Sequence, residues 1–205
     1  MIPARAALDR LREGNARFSA DVSRRVTSRR KRRELAAAQS PFAIVLGCSD
    51  SRVPAEIVFD QGLGDLFVIR VAGNIVAPSQ VGSVEFAAER FETRLVVVLG
   101  HSSCGAIQAT LEQLQRPSAE QSPGLRSIVD RIRPAVEGLL HRGRSPDELL
   151  REAVRANIRL ARDHLRHGSD ILEHLIAHEG LLVIGAEYSL ASGVVAFFDG
   201  VPGPD

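Results

Sequence analysis

The chain is poor in sulfur: its 205 residues include two cysteines, Cys48 and Cys104, and one methionine. Two cysteines make no disulfide framework, so each is either a free thiol or a metal ligand. Long apolar runs are missing too. The most apolar stretches, such as Leu95 to Leu99, fall far short of the roughly 20 residues needed to span a bilayer. The opening Met-Ile-Pro-Ala-Arg has no apolar signal core, which makes the cytoplasm the expected compartment. Neither sign of charge prevails, with 26 basic side chains against 25 acidic ones. That balance removes any global electrostatic case for a nucleic-acid or membrane partner.

What is present is ordinary globular material, 44% apolar and 25% charged, enough for one domain with a real core. Its expected layout is a helical arm over residues 1–38 and an α/β core over 39–205. One local anomaly stands out. Arg24, Arg25 and the run from Arg29 to Arg33 place seven basic side chains within ten residues. A polyanion-binding patch is one reading. With no aromatics interleaved and Glu34 following at once, a solvated loop and helix entry is the favoured one.

Ala6 to Phe18 carries Leu8, Leu11, Asn15 and Phe18 at helical spacing, behind a proline suited to a helix start. Phe42–Gly47, Leu66–Val71, Leu95–Gly100 and Leu181–Tyr188 are short, branched apolar runs that read as buried strands. Ser79 is positioned to cap a helix running to Phe91. Gly105–Gln115 reads as a helix, and Pro117–Pro123 as a loop. Ser145-Pro146-Asp147-Glu148 is a strong helix start, with Ser at the cap, Pro first and Glu third. A further helix is expected over Asp170–His178. Ser192-Gly193 turns the chain into Val194–Phe198, an antiparallel edge partner. The fold class that follows is α/β, a mostly parallel four-stranded sheet with an antiparallel edge strand, helices on both faces and an amino-terminal helical arm. Such sheets bind ligands beyond the carboxyl ends of their strands.

Both cysteines fall at that edge. Cys48 follows the first strand; His101 follows the third; Cys104 lies three residues on, where the next helix begins. Two thiols and an imidazole converging there match a three-ligand zinc site with an open fourth position. The helix amino end near Cys104 favours the thiolate that zinc needs. The competing readings are small buried hydrophobes and a redox pair. Asp50 and Arg52 sit beside the first ligand, where the guanidinium could hold the carboxylate ionised and aimed at a metal-bound water. The remaining histidines, His164, His167, His174 and His178, read as polar helix-face residues; His174-Leu-Ile-Ala-His178 lacks the glutamate of a metalloprotease helix.

Gly47-Cys48-Ser49-Asp50-Ser51-Arg52 followed by Gly100-His101-Ser102-Ser103-Cys104-Gly105 resembles the β-class carbonic anhydrases. The likeness continues through Phe67-Val68-Ile69-Arg70-Val71-Ala72-Gly73-Asn74 and Gly185-Ala186-Glu187-Tyr188. The resemblance implies reversible hydration of carbon dioxide to bicarbonate by zinc-bound hydroxide, with one zinc ion per chain on Cys48, His101 and Cys104. It implies Asp50 and Arg52 as the catalytic dyad, with Asp50 able to replace water as fourth ligand in a closed state. Gln39 would donate to a substrate oxygen, and Phe67, Ala72, Phe86 and Gly105 would line the pocket. Phe86 replaces the tyrosine of plant-type members. Sites in this family are built at a dimer interface, which the amino-terminal helix embraces, so a homodimer or dimer of dimers is implied. Some bacterial members hold an inhibitory bicarbonate on a Trp, an Arg and a Tyr. Here Arg70 and Tyr188 match, but Val45 occupies the Trp position, and structural roles for Arg70 and Tyr188 are expected.

Three other activities stand beside this one: hydrolysis of carbon disulfide or carbonyl sulfide on the same zinc, a non-catalytic zinc- or anion-binding regulator, and a thiol oxidoreductase. The last is disfavoured because Cys-x-x-Cys is missing.

Overall fold

A computed structural model describes residues 2–24, 28–117, 121–141 and 143–203. Its centre is a five-stranded sheet of β1 (Ala43–Gly47), β2 (Leu66–Arg70), β3 (Leu95–His101), β4 (Leu182–Tyr188) and β5 (Val195–Asp199). The order is β2-β1-β3-β4-β5. The first four strands run parallel, and β5 pairs antiparallel with β4. Every residue of β1 and β3 is buried. Their unbroken apolar character, without polar alternation, is what coverage on both faces requires.

The sheet separates two cores. On one face Ile44, Leu46, Val96, Val98 and Val183 pack with Ile107, Ile132, Val154, Ile158 and Leu172. These last come from α5 (Gly105–Gln115), α6 (Pro123–Val136), α7 (Pro146–His167) and α8 (Asp170–His178). On the other face Val45, Val97, Leu99 and Ile184 meet Leu8 and Leu11 of α1 (Ala4–Ser19) and Val58 of α3 (Ala55–Val58). Leu11 is fully buried. Asn15 pins the same helix by donating to the carbonyls of Val58 (3.1 Å) and Gly193 (2.8 Å).

The expected capping box of α7 is present, with Ser145 and Glu148 each closing on the other's backbone. The expected cap of α4 (Pro78–Arg90) is not. Pro78 takes the first helical position behind Ala77, and Ser79 lies inside the helix, directed at Gln80. A proline with fixed φ and no N–H to satisfy suits that first position, so the start moves back by two residues. The loop expected over Pro117–Pro123 ends earlier as well: residues 118–120 lie outside the described set, and Pro123 opens α6. The whole of α6 goes unread in the sequence, where Pro134 interrupts its apolar spacing. Pro134 falls in the last turn, and Val129, Ile132 and Val136 still form a buried stripe.

The basic run forms α2 (Arg29–Ala37), capped by Ser28, with no buried residue. The expected solvated helix entry is thus present, with the run from Arg29 to Arg33 inside the helix itself. Arg30 reaches Glu34 one turn on (3.5 Å); Arg25 lies outside the described residues. Among the described residues no helix is long and apolar enough to cross a membrane.

Candidate metal centre

The register of the sheet brings the two ligand-bearing turns together. Gly47, last in β1, pairs with Leu99 of the neighbouring β3, two residues before His101. Cys48 therefore emerges beside His101, and Cys104 follows as the N-cap of α5. The ligand atoms of Cys48, His101 and Cys104 lie within 4.8 Å of one another, and all three residues are buried.

The imidazole reports what the cluster is shaped for. His101 Nδ1 lies 2.9 Å from the carbonyl oxygen of Ser102. A carbonyl can only accept, so Nδ1 carries the proton and Nε2 presents its lone pair. That Nε2 is buried and has no hydrogen-bond partner. A buried acceptor left unmatched costs stability unless something fills its place. Two sulfurs and one nitrogen form a soft donor set suited to zinc, so the residues present fit that ion.

The sulfurs are tuned in opposite directions. Cys48 is pulled well below its ordinary value, first by the hydrogen bond from Cys104, then against burial by His101 and the backbone N–H groups of Asp50 and Gly73. Cys104 is pushed up by that same hydrogen bond and by burial, while the N–H groups of Ile107 and Ala106 at the start of α5 oppose the rise. Burial depresses His101, but the nearby Cys48 sulfur and the Ser102 carbonyl outweigh it and its value rises. Two sulfurs and an imidazole so close together, with opposed shifts on the sulfurs, are groups that a divalent cation would bind in their deprotonated forms.

Asp50 and Arg52 form the expected pair. Arg52 Nε donates to Oδ1 (2.9 Å) and Nη2 to Oδ2 (2.7 Å), and the Arg52 backbone N–H adds a third bond (2.9 Å). The Arg52 hydrogen bond holds the Asp50 carboxyl well below the usual carboxylate range. Asp50 Oδ2 stands 3.8 Å from His101 Nε2, while paired with Arg52.

The other candidates are spread along the chain. Gly105 opens α5, and a Cβ built there meets nothing within 4 Å. Ala72 lies in the 3-10 turn Ala72–Asn74 after β2. Phe67 on β2 packs 6.2 Å from Phe86 and 6.0 Å from Phe91. Phe86 itself is 53% exposed. Gln39 is exposed in the segment between α2 and β1. Val45 is fully buried in the sheet, and Tyr188 is buried with its ring 6.3 Å from Phe18. Arg70 donates to the carbonyls of Cys48 (3.1 Å, Nε) and Asp50 (2.6 Å, Nη2). The rings of His174 and His178 stack on the exposed face of α8.

Three participants escape sequence reasoning. The Gly73 N–H donates to Cys48 Sγ at 3.4 Å. Gly73 holds φ +68°, and a Cβ there would meet Ile132 and Ala106 at 2.9 and 3.2 Å; the Gly in Ala72-Gly73-Asn74 is the one sequence signal of this. Asn157 of α7 donates to the Gly73 carbonyl at 2.8 Å, an 84-residue separation that no local pattern announces. Asn74 is buried with φ 42° and an unpartnered Nδ2, on the same turn.

Comparison with known proteins agrees with this geometry. A family model described as carbonic anhydrase matches residues 43–195. A carbonic anhydrase of Mycolicibacterium smegmatis is 42% identical over 194 residues, covering 93% of this chain and 91% of that protein. Carbonic anhydrase 2 of Mycobacterium tuberculosis is 40% identical over 194 residues, covering 92% and 89%. Among solved structures, the β-carbonic anhydrase CafA of Aspergillus fumigatus superposes with a TM-score of 0.75 at 25% identity, covering 97% of this chain and 92% of that one. The β-carbonic anhydrase CcaA gives 0.71 at 27% identity, covering 95% and 93%. With the family model, near full-length relatives and the fold in agreement, the chain belongs to the β-class carbonic anhydrases, a family of carbonate dehydratases.

Proposed function

We propose that this chain hydrates carbon dioxide reversibly to bicarbonate and a proton, using one zinc ion held by Cys48, His101 and Cys104. The observation that carries the reading is the buried, unpartnered Nε2 of His101 beside two sulfurs, with an ionised carboxylate 3.8 Å away. Zinc on two thiolates and an imidazole supplies a Lewis acid that acidifies water less than a three-imidazole site does, where the value is ~7, so activity is expected to rise on the alkaline side of neutrality.

The protein's share is orientation. Asp50, kept ionised by Arg52, accepts a hydrogen bond from the attacking oxygen and turns its lone pair toward the substrate carbon. Gln39 donates to a substrate oxygen, and Phe67, Ala72, Phe86 and Gly105 keep water from the apolar substrate. The proton leaves to buffer as bicarbonate is exchanged for water. Should Asp50 release Arg52, its carboxylate could itself serve as a ligand and close the site.

A homodimer or dimer of dimers completes this reading, with the residue 1–38 arm on the partner. Its support is the position of β2 at the sheet edge and the exposed Phe86 next to Phe67. A cytoplasmic location and one catalytic domain over 1–205 belong to the same proposal.

The test joins metal analysis to a stopped-flow hydration assay. Reduced wild-type protein is expected to carry about one zinc per chain and to hydrate carbon dioxide. Asp50→Asn is expected to keep the zinc and lose most activity. Protein without near-stoichiometric zinc sinks the proposal, and sulfide release from carbonyl sulfide without carbon dioxide hydration replaces its substrate.

A further inference from the structure

The Asp50–Arg52 pair spans two positions of one turn. Its hydrogen bonds fix two side chains relative to each other, but they do not fix that turn relative to His101, which belongs to β3. Catalysis by orientation needs the second relation, the 3.8 Å between Asp50 Oδ2 and His101 Nε2. Something outside the turn must hold it to the sheet.

The supports come from β2 and the turn after it. The parallel ladder continues past the strand ends, with Val71 N–H on the Gly47 carbonyl (3.1 Å) and Ser49 N–H on the Val71 carbonyl (3.3 Å). Arg70 is the last residue of β2 and lies opposite Gly47 in the register. Its guanidinium forks over the turn, with Nε on the carbonyl of the ligand Cys48 and Nη2 on that of Asp50. The 2.6 Å contact falls at the short end for a charged donor on an oxygen acceptor. Val53 N–H also reaches the Asp50 carbonyl, but from within the same loop.

We propose that Arg70 is a positioning residue for the hydration reaction: by bridging the carbonyls of Cys48 and Asp50 it ties the dyad turn to β2 and so sets Asp50 relative to His101. This inference rests on the proposed function of the same site. Arg70 acts through the backbone of the turn. It offers two donors in a rigid plane, matched to two carbonyls two residues apart, a geometry lysine does not reproduce.

The test uses full-length, zinc-loaded Arg70→Met and Arg70→Lys, compared with wild type by stopped-flow hydration and by the rate of zinc transfer to a chelator. In Arg70→Met, kcat is expected to fall about 10- to 100-fold, the range for a displaced catalytic group, with KM nearly unchanged and zinc still near one per chain. Zinc transfer is expected to quicken, because Cys48 loses a backbone support. Arg70→Lys restores one bond of two and is expected to recover part of kcat. Wild-type kcat and zinc transfer in Arg70→Met overturn the assignment, as does a loss of activity tracked wholly by loss of zinc. If Arg70→Met does not fold, Arg70→Lys decides: a kcat equal to wild type overturns the proposal. An inactive, zinc-free wild type instead removes the proposed function.

Discussion

The two turns that meet at the candidate metal centre differ in how much of each is buried. The turn after β3 is held by burial together with bonds from Ser102 N–H to the Tyr188 carbonyl (2.9 Å) and from Leu190 N–H to Ser102 Oγ (3.0 Å). His101 is fully buried, Cys104 is 1% exposed, and Leu99 and Ile107 on either side are buried as well. The turn after β1 buries Cys48, with Gly73 on its sulfur, but carries Asp50 nearer the surface in a set of polar bonds, with Arg52 on the carboxylate and Arg70 on two carbonyls. Burial suits groups whose task is to present lone pairs to a cation in a low-dielectric setting. Wiring suits a carboxylate that must stay ionised beside solvent and be able to move. The contrast puts two of the three candidate ligands on the turn after β3, and the third, Cys48, together with the Asp50–Arg52 pair on the turn after β1.

Substitutions that separate these roles test the contrast. The largest effect is expected at the buried turn: His101→Ala or Cys104→Ser should abolish stoichiometric zinc and drop hydration to background, read by metal analysis and stopped-flow assay on one sample. Asp50→Asn should break the other side alone, lowering kcat by about 100-fold as for loss of an acid–base partner, with zinc content unchanged. If zinc is lost together with activity in Asp50→Asn, the division between the turns fails.

A smaller effect is expected where the two principles touch. Gly73→Ala forces a Cβ into Ile132 and Ala106 at positive φ, and should cost about 1–3 kcal/mol in urea unfolding by overpacking and backbone strain. A midpoint equal to wild type would show that the turn relaxes.

The smallest effect concerns polar wiring away from the metal. Asp60 is buried at the end of α3, where it accepts from Arg17, Ser23 and the Arg24 backbone. Burial alone would raise its pKa, but the bonds from Ser23, Arg17 and Arg24 pull it down to about 2. An unfolded aspartate titrates near ~3.9. The stability Asp60 contributes is therefore complete above that value and is lost as pH falls through about 2. Asp60→Asn should flatten the acid limb of stability in that window while leaving hydration at neutral pH untouched. A wild-type acid limb in the variant would show that the charge of Asp60 contributes nothing.

The strands were legible because they are short, branched and buried on both faces, which leaves a continuous apolar signature at Ala43–Gly47 and Leu95–His101. α7 was legible because its capping box is local chemistry spanning Ser145 to Glu148. α6 was not, because an interior proline masks a stripe that packing rescues. The cluster of Cys48, His101 and Cys104 could be expected from turn position, and the pairing of Asp50 with Arg52 from their neighbourhood. Arg70 could be matched to a motif, yet its contacts with two carbonyls follow from register, which the sequence does not display.

Composition and spacing by themselves determined the class of the fold and picked out three candidate donors at strand ends, with a carboxylate two residues from the first, since each of these signals is local to its own turn. Only the tertiary structure decided that Nε2 of His101 faces the two sulfurs without a partner, that Gly73 and Asn157 stand behind Cys48, and that Arg70 spans the dyad turn. Those facts depend on distances between segments tens of residues apart. Such distances are set by strand pairing and by the packing of α5, α6 and α7 on the sheet, and no local pattern of residues encodes them.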